Sequence, residues 1–281
     1  MKKCLLMAAA IVLFTQCKND PTPPPVEPPN PNAKYFDVTN GSFWVYANDS
    51  IAIDGSIYSF GKDDTLRQIK DTTYLGQASK LMEHYFFNAL QGTTSKINYC
   101  MFQNGNKVYV SKGFLGLFIP SFFVTYFDVL PDSIKFADGS ANTWNLNEID
   151  VSDLDLTDFL DLPPSVVKIS GDKVKIEFAR GKDAVKSGFN TNLFTMKVVF
   201  AGEATVVIYG VENSVPFEAL FSEINFYFNP EGKGLIEVEA KPMEVKIKAT
   251  VSLPLLPPTP IEYPLTNTAG FKKSLKSLIM K

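Results

Sequence analysis

The 281-residue chain is poor in the residues that build reactive or cross-linked sites, with three cysteines and one histidine. Cys4 lies in the N-terminal apolar run and Cys17 closes it, which leaves Cys100 alone in "NYCMF". One thiol cannot form an internal disulfide, and a cysteine nucleophile needs an activating base beside it, so Cys100 reads as a buried small hydrophobe. His84, in "KLMEHYFFNA", sits in a strand-like run. A zinc site draws on several His and Cys ligands, and neither H-E-x-x-H nor a cysteine pair occurs, so His84 is expected to be an exposed or capped strand histidine, with no metal or cofactor. G-x-S-x-G, P-loop and dinucleotide fingerprints are missing too. Aspartates could pair as in a glycosidase only through a separation in space that sequence spacing does not reveal. The chain reads as non-enzymatic.

Basic clusters are also lacking: Lys and Arg number 27 against 30 Asp and Glu, a net charge of −3. That gives no electrostatic footprint for nucleic acid. Long apolar runs are absent as well. Lys2 and Lys3 precede "CLLMAAAIVLFT", which falls short of the roughly 20 residues a membrane-spanning helix needs and has the form of a signal peptide. A second run, Gly113 to Leu130, "GFLGLFIPSFFVTYFDVL", carries one charge, Asp128, but Pro120 interrupts it and its uncharged part is too short to span. It is no second anchor.

The end of the first run decides its kind. "LFTQCKND" puts a cysteine where an ordinary cleavage site wants small residues, and resembles a bacterial lipoprotein signal, with Gln16 where Gly, Ala or Ser is commoner. The resemblance implies that Cys17 is acylated and becomes the first mature residue; the alternative is a plain secreted chain cut nearby. Lys18, Asn19 and Asp20 resemble the charged tag that Bacteroidetes lipoproteins carry when they are displayed on the outer face of the outer membrane, against the alternative of the periplasmic face. "PTPPPVEPPNPN", Pro21 to Asn32, cannot support a hydrogen-bonded ladder and favours polyproline II, a spacer of about 40 Å. The division is therefore residues 1–16 as signal peptide, 17–34 as acylated cysteine and tether, and 35–281 as the folded body. Loss of residues 1–16 leaves 25 basic against 30 acidic residues, a net charge of −5.

What is abundant is phenylalanine, 23 residues, and short turn signals. Asp54-Gly55 in "IAIDGSIYSF" and Asn104-Gly105 in "YCMFQNGNKVYV" stand between alternating runs and accept the positive φ of tight hairpins. Further reversals are read in "KFADGSANTWNL", "VVKISGDKVKIEF", "FTMKVVFAGEATVVIYG" and "INFYFNPEGKGLIEVEA". Val174, Ile176 and Phe178 alternate with Lys173, Lys175 and Glu177, so one face is buried and one wet. A phase change around Lys241-Pro242 demands a turn or bulge. Helix is sparse: "VSDLDLTDFLDL" before Pro163-Pro164 fits a short one, and "AGFKKSLKSLIMK" sets Phe271, Leu275, Leu278 and Ile279 on one side, unless that tail is frayed. The expected fold is all-β, a large antiparallel, hairpin-rich sheet forming a half-barrel or a two-sheet sandwich, with a possible subdomain split near residue 162.

"YFDVTNGSFWVY", Tyr35 to Tyr46, resembles the YF-P-L-x-x-G-x-x-W-x-Y opening of exported, β-rich bacterial proteins, with Asp37 and Val38 in place of the usual proline and leucine. It implies a fold, with Gly41 turning the chain into a strand.

Three patterns bear on sites. Glu148, Asp150, Asp153, Asp155, Asp158 and Asp161 are clustered, but leucines fill the places an ordered calcium loop needs, so a solvated face is the reading. Asp49-Ser50-Ile51, Asp64-Thr65-Leu66, Asp71-Thr72-Thr73 and Asp132-Ser133-Ile134 resemble the O-glycosylation signal of exported Bacteroidetes proteins, making Ser50, Thr65, Thr72 and Ser133 acceptors. Within Gly113 to Leu130, either Phe122 to Val129 is a strand buried on both faces, or Phe114, Leu117, Phe118 and Ile119 form an apolar loop that lines a cavity or touches lipid. The proline-broken "SLPLLPPTPIEYPL" would pack over it. The expected role is binding at the outer-membrane surface, the partners being the membrane through the lipid anchor and a surface partner; the alternative is a carrier holding an acyl chain or other apolar ligand.

Overall fold

The structure, a computed structural model, describes residues 32–36, 40–88, 93–118, 128–146, 148–152, 167–208, 211–251 and 259–281. Their strands join one antiparallel sheet rather than two stacked ones. In chain order these are β1 Phe43–Ile51, β2 Ile57–Tyr74, β3 Gln77–Asn88, β4 Thr93–Asn104, β5 Lys107–Ser111, β6 Ser133–Asp138, β7 Thr143–Asn145, β8 Ile149–Asp150, β9 Val167–Arg180, β10 Ala184–Lys186, β11 Phe189–Ile208, β12 Val211–Asn229, β13 Gly234–Ala240, β14 Met243–Val251, β15 Thr259–Thr268 and β16 Gly270–Ile279. The sheet runs β6-β5-β4-β3-β2-β1-β16-β13-β12-β11-β9-β7, with β14 attached to β12, β15 to β14, β10 to β11 and β8 to β9. Among the described residues, helix is limited to 3-10 turns, at Lys112–Leu117 and at Asp128 and Val129.

The hairpin turns at Gly55 (φ 83°) and Gly105 (φ 60°) stand where the sequence places them. Asp138 also ends β6, its carboxylate accepting the Ser140 N–H at 2.9 Å. Two expected reversals are not turns. Gly171 and Gly202 lie inside the unbroken strands β9 and β11, directly opposite each other at a bulge. A Cβ on Gly171 would meet the Val151 carbonyl oxygen at 2.3 Å, and one on Gly202 the Ser170 carbonyl oxygen at 2.2 Å. Glycine is needed there for close backbone approach, the other meaning glycine has within a strand.

The C-terminal segment is a strand, not a helix. β16 pairs with β1 along its full length, and a bulge beside Lys276 shifts the phase so that Leu275 and Leu278 both pack against the core. That three-residue spacing imitates a helical period. Residue 162 and all but the first two residues of the short helix expected before it lie outside the described residues; strands from both sides of it, β7 and β9, pair with each other.

The sheet curls so that its first and last strands are consecutive in sequence. They are joined without a ladder: the Trp144 indole on β7 donates to the Lys135 carbonyl of β6 at 2.8 Å, and its ring stacks on Phe178 at 5.5 Å. The concave face is filled by the chain's own aromatics. Phe136, fully buried, meets Phe114 at 4.8 Å, Phe226 at 4.6 Å and Phe178 at 5.8 Å. Each such ring contributes about 2–3 kcal/mol through burial and edge-to-face contact.

Residues 33–36 enter this body under the side chain of Gln103. Its Oε1 accepts the Tyr35 and Phe36 N–H groups at 2.8 and 3.0 Å, and its Nε2 donates to the Ala33 carbonyl at 2.8 Å. Tyr35 then reaches Asn192 Oδ1 at 3.0 Å, buried between Phe194 and Phe228.

Candidate functional site

β16 holds the centre of the sheet unequally. On one side it pairs with β1 from Gly270 to Ile279; on the other it pairs with β13 only from Phe271 to Ser274. Beyond Ser274, β13 parts from it. Period-two alternation turns Trp44 and Tyr46 of β1 inward, and these two side chains cross the gap. The Trp44 indole donates to the Lys233 carbonyl at 2.8 Å and the Tyr46 hydroxyl to the Leu235 carbonyl at 2.8 Å. Both bonds tie β1 to backbone carbonyls on the side of the gap where the β16 ladder has ended.

Over this gap the structure has an open cleft of about 480 Å³, edged by Ser187, Phe189, Lys233 and the β16 residues Lys276, Ser277 and Leu278. Its walls are turns fixed by sequence. Ser187 (φ 48°) and Gly188 (φ 81°) form the two-residue connection of β10 to β11, a hairpin geometry that requires positive φ at both positions. Asn229 folds the β12–β13 turn, its Oδ1 accepting the N–H groups of Glu231 at 3.0 Å and Lys233 at 3.2 Å, while its Nδ2 ties the turn to the Asn190 carbonyl at 3.0 Å. Lys276 at the rim pairs with Asp63 at 2.8 Å.

On the inward side of the same strand lies a buried charge cluster. Asp64 is fully buried and faces Tyr46 across the β1–β2 ladder. One carboxylate oxygen accepts from Asn48 Nδ2 and, at 2.8 Å, from the Phe87 N–H; the other accepts from Lys273 Nζ at 2.5 Å. His84, 8 % exposed on β3, brings Nε2 to 3.6 Å from the second oxygen, too far for a hydrogen bond, and neither ring nitrogen has a hydrogen-bond partner. Burial alone would raise the Asp64 carboxyl; the approach of His84, the Lys273 ammonium and the Phe87 N–H outweigh it and hold it at about 2. Burial lowers His84 from its ordinary 6.5, with Asp64 opposing and the Lys273 charge adding to the shift. Both Asp64 oxygens are already engaged. The cluster anchors β1, β2, β3 and β16 to one another.

His84 is therefore a buried strand histidine, not an exposed or capped one. The period-two pattern around it contains the signal, because His84 shares the parity of Met82, another buried residue. Asp64 has the parity of Leu66. Lys273 belongs to the segment read as helical, so the cluster was hidden by the misread period. Cys100 is half-buried, and burial pushes its thiol up.

The remaining sequence candidates are dispersed. Cys17 and Ile119 lie outside the described residues. Phe114 is buried against Tyr99 at 4.9 Å, while Leu117 and Phe118 are partly buried against the core, Phe118 meeting Phe226 at 5.0 Å. A smaller cavity of about 180 Å³ lies beside Phe118, bordered by the apolar Val198, Phe221, Met243 and Phe271 and by the charged Glu223 and Lys241. Ser50, Thr65 and Thr72 are partly exposed on β1 and β2, whereas the Ser133 hydroxyl oxygen is buried and without a hydrogen-bond partner. Glu148 pairs with Lys173 at 3.1 Å, and Asp150 accepts the Ser152 N–H at 2.9 Å; Asp153, Asp155, Asp158 and Asp161 lie outside the described residues. The whole "SLPLLPPTPIEYPL" stretch likewise lies outside the residues whose side chains are described.

No family model matches the chain, and no curated protein matches it. Two solved structures resemble it at low similarity. One, provisionally described as a lipoprotein of Parabacteroides distasonis, has a TM-score of 0.41 and 10% identity over 88% of this chain and 99% of that one. The other, provisionally described as an exported protein of Bacteroides fragilis with a YmcC-like fold, has a TM-score of 0.37 and 9% identity over the same shares.

Proposed function

We propose that the protein is a lipid-anchored component of the cell envelope, displayed at the outer-membrane surface on its proline-rich tether, and that it acts by binding rather than catalysis. The observation that carries the binding role is the packing of the concave face: Trp44, Phe136, Phe178, Phe194, Phe226 and Phe228 are at most 2 % exposed. The larger opening, about 480 Å³, therefore faces outward between β16 and the turns beside it. Its size falls within the roughly 300–1,000 Å³ of ligand pockets.

A carrier is the second reading, favoured by the cavity beside Phe118. Its volume of about 180 Å³ suits a short apolar group rather than a whole acyl chain.

Palmitate labelling of cells, with Cys17→Ala as control, tests the anchor, and protease treatment of intact cells tests display. Equal label on both proteins overturns the anchor, and protection from protease overturns surface display. Mass spectrometry of the extracted native protein tests the role: a stoichiometric apolar ligand would replace the binding-module reading with the carrier.

A further inference from the structure

The cleft has a chemistry of its own. From Leu275 to Ile279 the described ladders give β16 a partner on the β1 side only, so the backbone groups that face the cleft have no strand to bond. The β13 side does not share this deficit, because Trp44 and Tyr46 occupy the carbonyls of Lys233 and Leu235. Among the described residues, one strand edge thus stands open over about five residues, or about 17 Å of extended chain. Natural sheets usually cover or blunt such an edge.

The flanks add selectivity. Phe189 and Leu278 supply apolar surface on either side of the slot. Lys233 stands over it with no ion-pair partner among the described residues, and Lys276, at the bulge, has only an exposed contact with Asp63. The chain as a whole carries a net charge of −3, so these cations give the cleft a sign opposite to the rest of the molecule. A negatively charged extended segment is complementary to the lysines through its side chains and to β16 through its backbone.

We infer that this cleft takes an acidic, extended polypeptide segment by strand addition to β16. The inference rests on the binding role proposed above and names its partner class. Alternate side chains of the added strand would face Phe189 and Leu278, and the intervening carboxylates would face Lys233 and Lys276.

The test uses the full chain in detergent and a blocked, dye-labelled heptapeptide of alternating Val and Glu. Binding is read by anisotropy and by amide exchange over Leu275–Ile279. The peptide is expected to bind and slow that exchange. Full N-methylation of the peptide, or the Lys233→Glu, Lys276→Glu double variant with unchanged melting temperature, is expected to weaken binding about tenfold or more. Equal binding of the N-methylated peptide, equal binding of a Val and Lys heptapeptide, or unchanged exchange at Leu275–Ile279 would overturn strand addition. Lysine-dependent binding of phosphatidylglycerol vesicles without peptide binding would overturn it in favour of an anionic headgroup. A co-purifying acyl ligand would instead remove the binding-module reading itself, whereas absence of both ligand and peptide binding removes only this inference.

Discussion

The Trp44 indole N–H meets the Lys233 carbonyl at 2.8 Å across 189 positions of sequence, in a place where the sheet has no ladder bond to offer. Together with Tyr46 it gives the two inward aromatics of β1 a mechanical role: both donate to backbone at and just before β13, where the β16 ladder has ended.

Trp44→Phe keeps an apolar ring but removes the donor to that part-buried carbonyl. The expected loss is about 2–3 kcal/mol, from the stranded acceptor plus the void. Tyr46→Phe removes only a hydroxyl and should cost about 1–2 kcal/mol. Urea unfolding measures both, and a Trp44→Phe protein as stable as wild type would refute the stitching role.

Glycines of the same chain should respond differently to alanine. At Gly55, with φ 83° and open space around the missing Cβ, the cost is conformational alone, about 1–2 kcal/mol. At Gly202 a Cβ would stand 2.2 Å from the Ser170 carbonyl oxygen, so the β9–β11 bulge must open, at about 3 kcal/mol or more. Thermal unfolding of the two variants separates the mechanisms; equal shifts would contradict the close approach.

Acid should unfold the protein in two stages. His84 has a folded pKa below its unfolded 6.5, so its contribution is complete above about 6.5 and declines as pH falls toward the lower value. Asp64, held at about 2 against an ordinary 3.8, contributes about 2–3 kcal/mol above pH 4 that disappears as pH falls through 2. His84→Gln should flatten the first stage only. Lys273→Met leaves a buried carboxylate without its cation and should cost about 3 kcal/mol at pH 7 but less at pH 3, where Asp64 takes a proton more readily. Stability against pH, measured by chemical denaturation, checks both; a Lys273→Met penalty independent of pH would argue against the pair.

If sugars are added to the folded chain, they should be found on Ser50, Thr65 or Thr72 and not on Ser133, whose hydroxyl oxygen is buried at the start of β6. Glycopeptide mapping of protein from the native cell decides this. Occupancy at Ser133 would mean that modification precedes folding.

Local chemistry made much of the fold legible. Asp54-Gly55 and Asn104-Gly105 could serve only as tight turns, and the alternation around Val174, Ile176 and Phe178 set the buried face of β9. The errors share one cause. Gly171, Gly202 and Lys276 all sit at bulges, where one extra residue breaks the period, so that a strand looks like two strands or like a helix. The site was less legible for a different reason. Trp44 reaches across the β13–β16 gap to Lys233 over 189 positions and Asp64 reaches Lys273 over 209, and no local pattern encodes those pairings. The aromatic content foretold a large core; it did not say that Phe114 would be spent filling it.

The β1–β16 ladder couples residue 43 to residue 279. During vectorial synthesis, β1 emerges more than 200 residues ahead of the strand that will cover it. Until then β1 cannot satisfy both of its edges, and an exposed edge invites mispairing. A chain whose final zipping waits for so late a segment leaves its early hairpins able to stick to their neighbours until synthesis ends.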